Sequence, residues 1–347
     1  MQTCASVKYG NGGITAISTE GARLAAQSDD SKARVCAAEA FIFQLPATNL
    51  RRIRRYSVEK AHSILTDFRL SKRIHPMTST SYQGKWALVT GASSGIGQAY
   101  ARSLAQRGCN LALTARRLDR LNALAKSLMD EHAIQTLCIQ ADLADEGALD
   151  QIGHQLKAPG IDIDILINNA GYGVPGHFHK NRWSVHEQFL RVMLTAPTEL
   201  AHRMLPGMQE RGWGRIVNVA SLAGIIPGSA GNTLYGASKA YFIKFSQSLA
   251  LENRSHNVLV QALCPGFTQS EFHDISGARH LMDKLPHFMF QTSEAVAEES
   301  LRTLERGRIV HVSGAVNRLI AFLITRLPDR LALWLIVKRS KDFRVQD

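Results

Sequence analysis

From Lys85 onward the chain alternates short apolar runs with longer stretches whose apolar positions recur every three or four residues. The runs 86–89, 111–114, 136–140, 161–167, 216–219, 258–263 and 309–312 are dominated by Val, Ile, Leu and Ala. Runs of that kind predict strands buried on both faces. A helical period follows the glycine-rich turn after residue 89 to about residue 107, and returns over 118–131, 183–211, 233–253 and 293–306. Strands alternating with helices build βαβ units. The prediction is one α/β domain over residues 77–313, with a doubly wound, parallel, seven-stranded sheet and helices on both faces.

The flanks read differently. Residues 1–76 hold no sustained period before about Ala37, and only 58–70 forms a short amphipathic stretch, with Ala61, Ile64, Leu65 and Phe68 on one face. This segment carries 12 Lys+Arg against 6 Asp+Glu, half of the chain's net charge of +12, with Arg51, Arg52, Arg54 and Arg55 at its densest point. A poorly ordered basic extension is expected, and Met77 would serve as a start. The cluster has no interleaved aromatics for base stacking, so no nucleic-acid partner is expected. Residues 314–347 hold two apolar pieces, 319–324 and 331–337, split by Pro328 and Asp329 and flanked by Arg318, Arg326, Arg330, Lys338 and Arg339. A basic amphipathic helical tail of this kind suits the interface of a bilayer or a neighbouring surface. No apolar run approaches the roughly 20 residues that cross a membrane. The five cysteines have neither disulfide-framework nor metal-site spacing, which suits a reducing, cytoplasmic setting and no bound metal.

Candidate chemistry gathers at the predicted strand ends. Thr90-Gly91-Ala92-Ser93-Ser94-Gly95-Ile96-Gly97 follows the first strand and opens a helix. Glycines let such a turn approach a pyrophosphate, and the helix offers free N–H groups and its positive end. Gly91, Ser93, Ser94, Gly95, Ile96 and Gly97 are therefore candidate cofactor contacts. An acid after the second strand would bond the ribose of NAD; here Arg116 and Arg117 stand instead, and guanidinium forks suit the 2′-phosphate of NADP(H). Asp142 follows the third strand and can accept from an adenine amino group. Asn169, Ala170 and Gly171 follow the fourth, and Asn169 can bond backbone around the cofactor. Tyr235 and Lys239 share a helix face four residues apart, and Ser221 precedes the tyrosine by fourteen positions. A nearby cation is expected to lower the phenol pKa, so that Tyr235 exchanges a proton with a carbonyl or alcohol oxygen that Ser221 also bonds.

Taken in order, these motifs resemble the short-chain dehydrogenase/reductases over about residues 83–313, with a Rossmann-type fold. The resemblance implies hydride transfer between nicotinamide C4 and a carbonyl or alcohol carbon. Within it Tyr235 is the acid/base, Lys239 binds ribose and lowers the phenol pKa, and Ser221 orients substrate. Tyr235 and Lys239 thus also count among cofactor contacts. Pro265 and Gly266 match the family's Pro-Gly turn, and Thr268 falls where the family contacts the carboxamide and phosphate. The helices around Trp183 and Thr233 resemble the family's dimer faces, so a homo-oligomer is expected. Two departures stand out: Met193 occupies the position of the family's helix Asn, and one extra residue separates Ser221 from Tyr235.

A substrate lid is expected over about 267–292. Phe267, Phe272, Leu281, Met282, Leu285, Phe288 and Met289 favour a hydrophobic carbonyl compound. The stretch 267–272 resembles the lid start of reductases acting on 3-ketoacyl and related lipid substrates, so a fatty-acyl or acyl-carrier substrate is expected. His273, His280 and His287 lack metal-site spacing. The leading expectation is an NADP(H)-dependent reductase, with peripheral membrane contact through the tail. The rival is an NADP-binding sensor or scaffold of weak turnover, raised by Met193. A basic membrane-surface module is a third reading.

Overall fold

The computed structural model describes residues 82–174, 176–231, 233–269, 271 and 289–340. The expected N-terminal extension, its 58–70 helix and most of the expected lid, with Phe272, Leu281, Met282, Leu285, Phe288 and the three lid histidines, lie outside them.

The strands are β1 (Trp86–Thr90), β2 (Asn110–Ala115), β3 (Thr136–Gln140), β4 (Ile165–Asn168), β5 (Gly214–Val219), β6 (Val258–Cys264), a short β7 (Thr268–Gln269) and β8 (Gln291–Thr292), and β9 (Val310–Val312). Seven of them form one parallel sheet in the order β3-β2-β1-β4-β5-β6-β9. Sequence order reverses between β1 and β4, the point at which open α/β sheets bind ligands beyond their strand C-termini. The unpredicted β7 and β8 pair with each other in a second, two-stranded sheet.

Strand alternation sorts the core into two layers. Ala87, Val89, Leu111, Leu113, Ile165, Ile167, Val217 and Val219 face one layer. Leu88, Ala112, Leu166 and Ile216 face the other. The first layer is closed by α1 (Gly95–Ala105), α2 (Leu118–His132) and α7 (Ser293–Leu304), through Tyr100, Leu104, Leu121, Leu128 and Leu301. The second is closed by α3 (Ala148–Lys157), α5 (Ala196–Glu210) and α6 (Thr233–Glu252), through Ile152, Leu156, Leu200, Met208 and Leu249. Helix α3 was not among the predicted elements, although Leu149, Ile152 and Leu156 are its buried face.

The predicted helix over 183–211 is interrupted. It runs as α4 (Trp183–Leu190), a π-helical turn Arg191–Thr195, and α5. Pro197 explains the break: it has no N–H to give the carbonyl four residues back, Met193, and the local ladder loosens to a wider turn. Strand β4 begins later than predicted, at Ile165, and runs on to Asn168. The tail forms α8 (Ala315–Arg326) and α9 (Asp329–Ser340), separated at Pro328.

One buried charge ties the sheet's far end together. Arg215 on β5 is 1% exposed and pairs with Glu305 at 2.7 and 3.1 Å. Its guanidinium lies 4.2 Å from the Trp213 ring centroid and also donates to the carbonyls of Gly214 and Asn257. Tyr82 donates to the same Glu305 carboxylate at 2.5 Å. Removing the carboxylate leaves a cation in the core, so Glu305→Ala is expected to destabilise the fold by about 3 kcal/mol or more. Urea unfolding checks this; a change under about 0.5 kcal/mol, the size of an exposed-pair effect, would show that the pair is not needed.

Candidate active site

Thr90, at the end of β1, fastens two strand ends. Its hydroxyl donates to Ile167 O at 3.2 Å and accepts from the backbone N–H groups of Asn169 and Ala170 at 2.9 and 3.0 Å. Asn169 Nδ2 returns the contact, donating to Thr90 O at 2.9 Å and Gly91 O at 3.3 Å. Asn169 therefore shapes the turn rather than reaching a ligand directly. Gly91 and Gly95 hold φ of +66° and +55°, the left-handed region that a side chain strains. At Gly97 the constraint is space: a Cβ there would lie 2.3 Å from Gly91 O and 2.5 Å from Asn169 Nδ2. The result is a backbone cradle at the start of α1, where Ser94 provides no side-chain cap.

The arginines after β2 diverge. Arg116 is exposed and lies 3.8 Å from Asp142, whose other oxygen accepts from Ala144 N at 3.0 Å. Arg117 folds onto the cradle, donating to Ser93 Oγ at 3.0 and 3.3 Å and to Ser94 Oγ at 3.0 Å. A cleft of about 560 Å³ opens beside it, lined by Ser93, Ser94, Gly95, Arg120, Gln269 and Glu271. Backbone cradle, hydroxyls and guanidinium are the donor set that a dinucleotide's phosphates require, and they fit such a group. Thr268 is buried with its hydroxyl turned back to Gly266 O at 3.2 Å, so here it faces its own turn.

The candidate proton-transfer residues converge from the end of β5 and from α6. Ser221 caps the short turn Leu222–Gly224, its Oγ accepting from Ala223 N at 3.1 Å. Gly224 lies directly on α6: a Cβ there would be 2.5 Å from the Lys239 carbonyl carbon. That contact presses the Ser221 turn against the helix and allows a Ser221–Tyr235 hydrogen bond. Gly224 was not singled out in the sequence, since the need for it comes from the facing helix. Lys239 is buried, donates to Val219 O at 2.7 Å, and sits 5.5 Å from the Tyr235 ring centroid.

The expected lowering of the phenol pKa is corrected here. Burial pushes Tyr235 above its ordinary value, with only the Ser221 hydrogen bond working the other way. Burial likewise suppresses the Lys239 ammonium, whose pKa falls to about 8. Desolvation acts on both groups at once and sets the direction of both shifts. The thiol of Cys264, at the end of β6, is pushed up to about 12 by burial and stays protonated.

Met193 is buried in the π turn and packs on Gly171: a Cβ at Gly171 would meet its sulfur at 2.8 Å. A polar brace runs nearby. Asn168 Nδ2 donates to Pro197 O and Asn218 Oδ1, both at 2.9 Å, and Asn218 Nδ2 donates to Ser246 Oγ at 2.9 Å. Asn168 is therefore a brace among β4, β5, α5 and α6. Asn218 and Ser246 carried no motif signal, because only the fold brings them together. Gly266 of the Pro-Gly turn packs against Asn317 of α8. Beside Tyr235, a narrow crevice is walled by Val174, Phe178, Phe189 and Leu234 together with the polar Asn181, His186 and Thr233. Among the described residues no cluster of His, Cys, Asp or Glu could hold a metal ion.

The suppressed Lys239 charge has a measurable consequence. Below pH 8 the folded protein carries the buried ammonium at full penalty, and the penalty fades as pH rises toward the unfolded value of 10.5. The stability of Lys239→Met relative to wild type, both ligand-free, is therefore expected to drop by roughly 3 kcal/mol between pH 8 and 10.5. A pH-independent difference in chemical unfolding would refute it.

Likeness to known proteins bears on this arrangement. The family model for short chain dehydrogenase matches residues 85–279. The very-long-chain 3-oxoacyl-CoA reductase of Homo sapiens is 31% identical over 265 residues, 75% of this chain and 81% of that protein. The 3-oxoacyl-acyl-carrier-protein reductase of Aquifex aeolicus (strain VF5) is 30% identical over 243 residues, 67% of this chain and 98% of that protein. A solved short-chain dehydrogenase from Sphingobium yanoikuyae, in complex with NADPH, is 33% identical with a TM-score of 0.61, over 70% of this chain and 96% of that one. The phosphate cradle, the Ser-Tyr-Lys cluster and these matches lead to one conclusion: the chain belongs to the short-chain dehydrogenase family, oxidoreductases that interconvert carbonyl and alcohol with a nicotinamide cofactor.

Proposed function

We propose that the protein is an NADP(H)-dependent reductase of hydrophobic carbonyl compounds, with 3-oxoacyl thioesters as the leading substrate class. The observation that carries the reading is the convergence of Ser221 and Tyr235, with the Lys239 ammonium 5.5 Å from the phenol ring centroid, beside a narrow crevice. The NADPH preference rests on Arg117 and its two serines at the cradle. Bound there, the reduced nicotinamide supplies the hydride. Tyr235 gives its phenolic proton to the carbonyl oxygen, which becomes the alcohol oxygen. Ser221 donates a hydrogen bond to the same oxygen and fixes its position. Lys239 holds positive charge below the ring and stabilises the phenolate as it forms. Val174, Phe178, Phe189 and Leu234 give the crevice beside Tyr235 an apolar wall, next to Asn181, His186 and Thr233, which suits a substrate with an apolar part beside its carbonyl. The names of the two reductase relatives support the acyl-thioester class.

Met193 favours a second reading, a nucleotide-binding sensor or scaffold of low turnover. A thioether is a weak acceptor and cannot hold a relay water as an amide would. One experiment separates the two. NADPH oxidation is followed with 3-oxoacyl thioesters of graded chain length and with hydrophobic ketones. Turnover that rises with chain length and falls by about 10³-fold or more in Tyr235→Phe, a general-acid-sized effect, is the expected result. Tight NADPH binding without carbonyl reduction would put the sensor reading ahead.

We further infer a homo-oligomer, supported by Trp183 of α4 at 62% exposure, and peripheral membrane contact through the tail. Leu319, Phe322 and Leu323 lie exposed on α8 at helical spacing, near Arg318, Arg326 and Arg330. Among the described residues no helix is long and apolar enough to cross a membrane. An interfacial position suits exposed apolar residues beside arginines. The full chain is expected to float with anionic liposomes, and the triple Leu319→Ser, Phe322→Ser, Leu323→Ser variant to stay behind. Equal flotation of the two proteins would sink the assignment.

A further inference from the structure

The Arg117 guanidinium is shared between the cofactor cradle and an acid from a distant part of the chain. Its Nε and Nη2 donate to Ser93 and Ser94, while Nη1 donates to Glu271 Oε2 at 2.9 Å. The other carboxylate oxygen accepts from Arg120 Nη1, on the first turn of α2, at 2.7 Å. One carboxylate, two positions beyond β7, thus bridges two guanidinium groups beside the cleft at the start of α1.

Resting on the reading that Arg117 faces the 2′-phosphate of NADP(H), we propose that Glu271 is an internal counter-ion. It holds the phosphate's place on Arg117 and Arg120, and NADP(H) must displace it whereas NAD(H) need not. A carboxylate and a phosphate monoester seek the same donors, oxygen acceptors matched to a guanidinium fork. Both are anions, so they do not share Arg117 without mutual repulsion. Arg120 and Arg117 hold the Glu271 carboxyl below the usual carboxylate range, and it is ionised at neutral pH. Its side chain is 39% exposed, so water can take the carboxylate when it swings away. Arg120 then becomes a second phosphate-facing cation, which no strand-end motif marks.

The device sets cofactor preference. With Glu271 in place, the 2′-phosphate gains two arginines but loses two ion pairs, so discrimination against NAD(H) is smaller than the arginines alone would give. It also links β7, at the edge of the substrate region, to occupancy of the adenosine end.

Calorimetric titration of the full-length protein tests this with four probes: NADPH, NADH, adenosine 2′,5′-bisphosphate and 5′-ADP. Glu271→Gln keeps the side chain's size and removes its charge. In that variant NADPH and the 2′,5′-bisphosphate are expected to bind roughly fivefold more tightly, the scale of two partly exposed ion pairs, with NADH and 5′-ADP within about twofold of wild type. Unchanged or weaker NADPH binding would overturn the proposal, as would equal tightening of NADH. Failure of the underlying reading looks different: wild type would bind NADH as tightly as NADPH, and Arg117→Ala would weaken both alike.

Discussion

Everything in the site depends on how closely the backbone approaches itself where β1 and β4 part. Thr90 and Asn169 bond across that fork, and Gly97 leaves its Cβ out where it would strike Gly91 O. A parallel sheet with helices on both faces splits at this point because its connections diverge to opposite sides. The opening would be a loss of packing if it were not lined by backbone donors and a helix N-terminus. Here the opening is lined as a phosphate cradle would be, and the neighbouring strand ends carry the candidate catalytic residues.

Burial governs the chemistry of the second half of the site. Tyr235 and Lys239 stand on one helix, and packing of Gly224 onto that helix brings Ser221 within reach of the phenol. Desolvation raises the phenol and lowers the ammonium. The site is thus a neutral acid above a cation whose hold on its proton burial has weakened. An anionic ligand near Lys239 would restore the ammonium and with it the pull on the phenol.

The brace behind the site is polar where an apolar core would suffice. Asn168, Asn218 and Ser246 form a buried chain from β4 to α6, and its Pro197 partner lies just after the π turn. Buried amides are expensive to leave unpaired, and that expense fixes the relative register of the elements they join. The tail meets this region by packing, Asn317 of α8 lying against Gly266. Whatever α8 and α9 contact is therefore attached to the Pro-Gly turn beside the cofactor site.

Local pattern sufficed for much of this. Alternating β-branched runs and helical periods determined seven parallel strands, and glycine spacing located the cradle, because strand burial and left-handed turns are local requirements. Tyr235 and Lys239 were legible for the same reason, since i and i+4 share a face before any tertiary contact forms. Tertiary structure decided the rest. The approach of Gly224, the Asn218–Ser246 link and the Glu271 bridge all join residues distant in sequence. The protonation of Tyr235 and Lys239 belongs with them. A charge's neighbours can be guessed from spacing, but its loss of water is set only when the chain closes over it.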